Sequence, residues 1–397
     1  MSWAGPFQYE IGKSKPSSRT EMGFDASGRE NLPTLICLSH LRWNFVYQRP
    51  QHLMSRFARD YNVLFFEEPM PSDEPNPWLE EIEADLGVTR LVPRLPADVQ
   101  GEAAEAVLKR LLDRYVEESG IEEEAVLWYY TPMSWPFSHH LKSTLTVYDC
   151  MDELSAFRGA PPEMLERERL LLEKADVVFT GGYSLYEAKR ERHPNAHPFP
   201  SSVDIAHFAQ ARAEQLDPDD QNSIPHPRLG FYGVIDERLD IDLLAELARQ
   251  RPDWHIVLIG PVVKIDPNSL PKLDNIHLLG GKVYDELPHY LAGWDVAIMP
   301  FALNESTRFI SPTKTPEYLA GGKPVVSTPI TDVVRTYGES GIVRIADSAE
   351  AFIRAVEASL VDAQDREGLL KQADSILGEM SWDATWQGMT EQMKCAR

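Results

Sequence analysis

The stretch "SPTKTPEYLAGGKPVV" covers residues 311–326 and carries the pattern that decides the fold. A Ser-Pro-Thr front leads into a short helix-like segment, and Gly321-Gly322 halts it. Pro324–Val326 then opens an apolar run suited to a buried strand. Turn, helix, glycine stop and buried strand in that order make one step of an α/β sheet.

The same alternation extends outward from this stretch. Upstream, "RLGFYGV" (228–234), "WHIVLIG" (254–260), "NIHLLG" (275–280) and "WDVAIMP" (294–300) read as strands; "PVVST" (324–328) and "GIVRI" (341–345) follow. Helices fit at 240–250, 285–292 and 348–361. Nearer the start, "TLICLS" (34–39), "NVLFFE" (62–67), "AVLWYY" (125–130), "TLTVYD" (144–149) and "DVVFT" (176–180) are almost wholly apolar. Such runs are buried on both faces of a parallel sheet. Helical patterns at 51–59, 103–118 and 161–174 separate them. Between the two series lies a polar, acidic, proline-bearing segment, so the spacing predicts two α/β domains, 33–208 and 228–378, joined by a linker at 209–227. Residues 1–32 read as a polar, poorly ordered leader without the apolar core of a signal peptide. Residues 379–397 read as a helix that returns to the first domain.

Composition narrows the partners. The chain has 397 residues, 62 acidic against 39 basic, for a formal charge of −23. That balance argues against nucleic acid and against broad adhesion to an anionic membrane. No run approaches the ~20 apolar residues that span a bilayer. The three cysteines, Cys37, Cys150 and Cys395, form neither a disulfide framework nor a zinc pattern, as suits a reducing cytoplasm. The charge run "EAKRERH" (187–193) reads as a solvated helix face or, alternatively, as a weak peripheral membrane contact.

Ligands of an open parallel sheet sit beyond the carboxyl ends of its strands. In the second half those loops hold Gly233, Arg238, Gly260, Lys282, Val283, Ser311, Thr313 and Lys314. Helix N-termini there suit phosphate, and Lys314 adds a full positive charge. Glu317, three residues on, is placed to accept hydrogen bonds from a vicinal diol such as a ribose. The competing reading is an ordinary helical ion pair worth about 0.2–0.5 kcal/mol. Two details weigh against it. Glu317 is not three residues after either threonine that could cap, Thr313 or Thr315, so no capping box forms. Lysine also precedes glutamate, the less favourable order.

With these residues in view, the stretch resembles the nucleotide-sugar site of GT-B glycosyltransferases, especially family 4. Those enzymes show Lys–x–x–Glu–Tyr–Leu/Met–Ala–x–Gly–Lys–Pro–Val–Val, matched here by Lys314, Glu317, Tyr318, Leu319, Ala320, Gly322, Lys323, Pro324, Val325 and Val326. "FYGVIDERLD" (231–240) resembles the family's first C-domain strand and loop, which implies that Arg238 contacts the diphosphate. "GKVYDELPHYLAGWDVAIMPF" (281–301) resembles the segment whose loop meets the nucleobase, and "FPSSVDIAHF" (199–208) the segment closing the N-terminal domain. One position departs: Phe309 stands where many family 4 enzymes carry the first glutamate of Glu-x7-Glu. Glu305 or backbone near Ser311 are the candidate substitutes. "LSHLRWNFVYQRPQHLMSRFA" (38–58) resembles the start of bacterial polysaccharide transferases of the teichuronic-acid type, with Arg42, Trp43, Asn44 and Arg49 in place of a glycine-rich loop.

The resemblance implies two Rossmann-like domains facing across a cleft, a nucleotide-sugar donor (a UDP-sugar) and a glycan or lipid-linked acceptor. It also implies retention at the anomeric carbon. Neither cofactor nor metal is implied, since Lys314, Arg238 and helix N-termini can neutralise the leaving diphosphate. Asp149 and Asp152, at the end of "TVYDCMDELSAF" (146–157), are expected as catalytic carboxylates, with a helix N-cap as their alternative role. His40, Trp43 and Arg49 are expected on the acceptor side. A nucleotide-sugar epimerase and a non-catalytic nucleotide-sugar binder are the rival functions.

Overall fold

The structure is a computed structural model, and it describes residues 32–121 and 125–397. The expected leader, 1–32, therefore lies outside the described residues except for Leu32. Two compact units form. One runs through Gly181 and takes in Leu185–Phe199 and Trp386–Arg397; the other holds Gly182–Ser184 and Pro200–Thr385.

In the first unit the strands are β1 (Thr34–Leu38), β2 (Asn62–Phe66), β3 (Met70–Ser72), β4 (Trp78–Glu83), β5 (Val88–Pro96), β6 (Val126–Tyr129), β7 (Leu145–Cys150), β8 (Val177–Thr180) and β9 (Ala196–Pro198). Their order is β3-β5-β2-β1-β6-β7-β8-β9. All pairs are parallel except β4, which lies antiparallel on β5. The central strands are apolar because helices cover both faces: Leu35, Val63, Val126, Val147 and Val178 are fully buried. The β3–β5 excursion was not legible as strands. "WLEEIE" carries four polar or amphipathic positions in six, and its alternation of half-buried and exposed side chains suits an edge strand.

The second unit contains β10 (Arg228–Tyr232), β11 (His255–Ile259), β12 (Ile276–Leu278), β13 (Val296–Met299), β14 (Val325–Ser327) and β15 (Val343–Ile345). All pairs are parallel, in the order β12-β11-β10-β13-β14-β15. The order reverses direction between β10 and β13, the kind of switch point at which strand-end loops diverge and leave a crevice. Phe231, Trp254, Val257, Ile298, Tyr318 and Val325 fill its core.

Residues 209–227 do not form a free linker. Gln221 is fully buried, donating to the Tyr290 carbonyl at 3.1 Å and accepting from the Trp294 indole at 3.0 Å. Arg228 bonds Asp217 at 2.6 Å and the Ile224 carbonyl at 2.7 Å. Acidic and amide groups that look solvated in sequence here satisfy buried donors of the second unit.

Candidate functional site

At the carboxyl end of the second sheet three loops are laced together by backbone bonds. The Gly233 amide donates to the Ile259 carbonyl, the Ile235 amide to Pro261, and the Val263 amide returns to Ile235. On the other side the Ala302 amide donates to the Arg238 carbonyl, and the Asn304 side chain to the Glu237 carbonyl at 3.1 Å. The loop after β10 is thus pinned to the loops after β11 and β13.

Two glycines make that lacing possible. Gly260 has φ +146°, and a Cβ there would stand 1.8 Å from the Gly233 carbonyl oxygen. Gly233 has φ +140°, and a Cβ there would meet Lys314 Cε at 2.3 Å and Nζ at 2.8 Å. Lys314 therefore crosses directly over the Gly233 backbone, with its ammonium 5.8 Å from the Phe231 ring centroid. Only residues without a Cβ let a cation lie this close to the strand-end backbone.

Glu317 sits within the helix Lys314–Ala320 and is only 8% exposed. Burial pushes its carboxyl up to about 7, against the opposing pull of the Lys314 ammonium, the Tyr232 phenol and Thr313. Tyr318, the next residue, accepts the Tyr232 amide on its phenol oxygen at 3.1 Å, which fixes this helix to the end of β10. Sequence and structure bring Gly233, Gly260, Thr313, Lys314 and Glu317 into one cluster.

Arg238 is held by a residue that the sequence reading passed over. Asp236, 3% exposed, takes the Arg238 Nε at 2.9 Å, its Nη2 at 2.7 Å and its backbone amide at 3.0 Å. Lys282 and Val283 each have partners within the second unit. The Lys282 ammonium pairs with Asp220 at 2.5 Å and lies 5.2 Å from the Tyr290 ring, so it ties down the 209–227 segment. The Val283 amide donates to the Glu286 carboxylate at 3.1 Å, closing the start of the next helical turn. Ser311 is half-buried in the turn before Thr313. Glu305 is a surface side chain, 78% exposed and 3.7 Å from Arg308, whose guanidinium also stacks on Phe309 at 5.0 Å. Nothing in that arrangement directs Glu305 inward.

The first unit overturns several expectations about substrate-facing groups. Arg49 and Asp149 are 1% and 0% exposed and face each other in a two-pronged pair, with Nη2 at 2.8 Å and Nε at 3.0 Å. Arg49 also donates to the Phe199 carbonyl at 2.7 Å. Burial raises the Asp149 pKa and the Arg49 charge opposes it. Both are closed off from any substrate, and their role is to join β7 to the helix Arg49–Phe57. Trp43 is likewise core: 8% exposed, edge-on to Phe65, its amide bonded to Glu67. Glu67 itself is buried between Arg42 and Arg90. His40 and Asp152 are half-buried in the loops after β1 and β7. In the run 187–193 the expected solvated face includes a buried residue, Lys189, bridging Glu153 and Glu168 at 2.6 Å each.

Residues 226–362 match the family Glycosyl transferases group 1. A Bacillus subtilis (strain 168) protein, named as the teichuronic acid biosynthesis glycosyltransferase TuaH, is 30% identical over 245 residues. The match takes in 56% of this chain and 59% of that relative. Among solved structures, the sucrose-phosphate synthase tll1590 of Thermosynechococcus elongatus aligns with a TM-score of 0.68 at 17% identity, over 91% of this chain and 98% of that one. An E. coli trehalose-6-phosphate structure bound with UDP-2-fluoro glucose gives 0.64 at 12% identity, over 91% and 99%. The Burkholderia xenovorans α,α-trehalose-phosphate synthase (UDP-forming), in complex with glucose-6-phosphate, gives 0.66 at 12%, over 91% and 100%. The chain has the GT-B glycosyltransferase fold. Within this GT-B chain the cluster around Lys314 and Glu317 falls inside the matched family segment. Asp236 and Tyr232 also fall inside it, and each had a local signal: Asp-x-Arg in a strand-end loop, and a tyrosine closing an apolar strand.

Proposed function

We propose that this protein transfers a sugar from a nucleotide-diphosphate sugar, a UDP-sugar, to a glycan, lipid-linked or small-molecule acceptor. The observation that carries the reading is the Lys314 ammonium drawn across Gly233, beside Gly260 and three residues from the buried Glu317 carboxyl. Phosphate oxygens at the lysine and the two ribose hydroxyls at the carboxylate fit that spacing. As the bond between anomeric carbon and diphosphate breaks, negative charge grows on the leaving phosphate. Lys314 and Arg238 stabilise it, without a divalent ion. The sugar is transferred with retention, as the family 4 motif implies. The uridine nucleotide carried by the E. coli neighbour and the teichuronic acid biosynthesis in the Bacillus relative's name are consistent with this donor and acceptor class.

On the acceptor side we assign His40 and Asp152, in the loops after β1 and β7. Among the described residues no helix is long and apolar enough to cross a membrane. We assign the reaction to the cytoplasm, with any membrane contact peripheral.

The test is product analysis by mass spectrometry with a panel of UDP-sugars, with and without candidate acceptors, in EDTA. Transfer that survives EDTA is expected. Lys314→Ala and Arg238→Ala should each lower kcat more than they raise KM for the donor. A strict Mg²⁺ or Mn²⁺ requirement removes the two-cation mechanism. Isomerisation of the donor without acceptor makes the protein an epimerase, and tight binding without turnover of any donor makes it a binding protein.

A further inference from the structure

Asp236 is a buried carboxylate of the loop after β10, bonded to Arg238 through side chain and backbone, and it has no place in the mechanism above. We propose that Asp236 is a positioning residue: it aims the Arg238 guanidinium at the donor diphosphate and tempers its charge until the sugar–phosphate bond breaks. The inference rests on the diphosphate reading of Arg238 given under Proposed function.

The geometry supports this in three steps. First, Oδ1 accepts the Arg238 backbone amide at 3.0 Å, so the carboxylate plane is fixed by the main chain and not by side-chain contacts alone. Second, that fixed carboxylate takes Nε at 2.9 Å and Nη2 at 2.7 Å, one edge of the planar fork. A guanidinium held along one edge has its remaining direction set, with the Nη1 end turned away from the carboxylate. Third, the backbone at both residues is pinned: the Leu239 amide bonds the Asp236 carbonyl, and the Arg238 carbonyl takes the Ala302 amide. An unheld arginine surrenders much rotamer freedom on meeting a phosphate; this one has surrendered it beforehand. The side chains of Arg238 and Asp236 are 24% and 4% exposed, so the pair is shielded enough for its charge to matter.

A negative group against Arg238 has an opposite effect on binding and on catalysis. It weakens attraction for a resting diphosphate, while the orientation it imposes acts most where charge is growing. A carboxylate that only held the loop together would, on removal, lower binding, turnover and melting temperature together.

The experiment compares Asp236→Asn, Asp236→Glu, Arg238→Met and the Asp236→Asn/Arg238→Met pair. It measures thermal melting, kcat, and affinity for UDP (or for ADP or GDP, if the parent binds one of those instead). Asp236→Asn keeps an oxygen for the Arg238 amide and is expected to lower kcat roughly ten- to hundredfold. Its nucleoside diphosphate affinity should stay level or tighten by roughly threefold. Asp236→Glu retains the charge but shifts the fork, so kcat falls without tighter binding. In the Arg238→Met background, Asp236→Asn should change kcat no further. A second, equal fall in that background overturns the proposal, as does affinity that drops in step with melting temperature. A parent that binds no nucleoside diphosphate removes the donor-site reading and this inference with it. A parent that binds and turns over while Asp236→Asn is indifferent removes this inference alone.

Discussion

Glu317→Gln separates stability from binding at the centre of the site. In the parent the carboxyl is 8% exposed and burial lifts it to about 7, from an ordinary 4.5. The folded protein therefore holds a proton in a window where the unfolded chain has released it. For such a raised pKa the stabilising contribution is fully present below the unfolded value near 4.5. It is lost as pH climbs through the folded value near 7. The shift corresponds to about 3 kcal/mol, since each pH unit is worth about 1.36 kcal/mol. Glutamine has the shape of the protonated acid and never charges. Variant and parent should thus be close in stability at pH 5. At pH 8.5 the variant should be the more stable by up to about 3 kcal/mol, roughly 6–10 °C in the melting of that unit.

Nucleotide binding should move the other way. A carboxylate accepts from both hydroxyls of a ribose, whereas an amide offers one oxygen. The loss is about 1.5–3 kcal/mol, roughly ten- to hundredfold in affinity. In the parent, binding near pH 7 should release a proton, visible as a calorimetric heat that depends on the buffer's ionisation enthalpy. Scanning calorimetry at the two pH values, with titration of UDP at each, provides all three readings. A melting difference between parent and variant that is the same at both pH values would falsify the raised pKa. Unchanged UDP affinity would take Glu317 off the ribose.

Two other perturbations address the supports of the fold. Arg49→Met or Asp149→Asn alone strands a buried partner and should cost about 3–5 kcal/mol in urea melts; the double change Arg49→Met/Asp149→Leu should recover much of it, and a substantial loss of UDP affinity in folded single variants would contradict the structural role. Gly260→Ala drives a Cβ to within 1.8 Å of the Gly233 carbonyl and should abolish UDP binding along with much of the unit's stability, whereas Gly281→Ala, with nothing within 4 Å, should be neutral in both assays; equal behaviour of the two would undo the account of the glycine cradle.

The second unit was the more legible in sequence because its information is local. Lys314 and Glu317 share one helix, and strand, turn and helix follow one another within a few residues, so periodicity and turn chemistry place them. The first unit hides its logic in long-range pairs. Arg49 and Asp149 are 100 positions apart, and nothing near either residue marks it as buried. An aspartate at a strand end and an arginine before a helix proline look like site residues until the structure matches them. The Lys282 pairing was hidden for the same reason, since Asp220 lies 62 residues away in a segment read as a linker. The β4 edge strand was missed because Glu-rich, half-exposed strands lack the apolar run that marks their buried neighbours.

The buried carboxylates differ in how fully their neighbours neutralise them. Asp149 meets a whole guanidinium along two oxygens and burial still raises its pKa, whereas Glu168 receives Lys189 at 2.6 Å and Arg192 at 2.8 Å, which holds its pKa below the ordinary range despite burial. Charges so matched have nothing left to give a ligand; their removal costs stability. Glu317 is desolvated just as severely, yet Lys314, Tyr232 and Thr313 together fail to restore its ordinary acidity. A carboxyl with a raised pKa is costly to ionise inside the fold, and carboxyls perturbed in this way cluster at functional sites. That cost supports the proposal that Glu317 meets the donor. The same reasoning predicts that the Glu317→Gln protein, relieved of the charge, will be the more stable at alkaline pH and the poorer at holding a nucleotide.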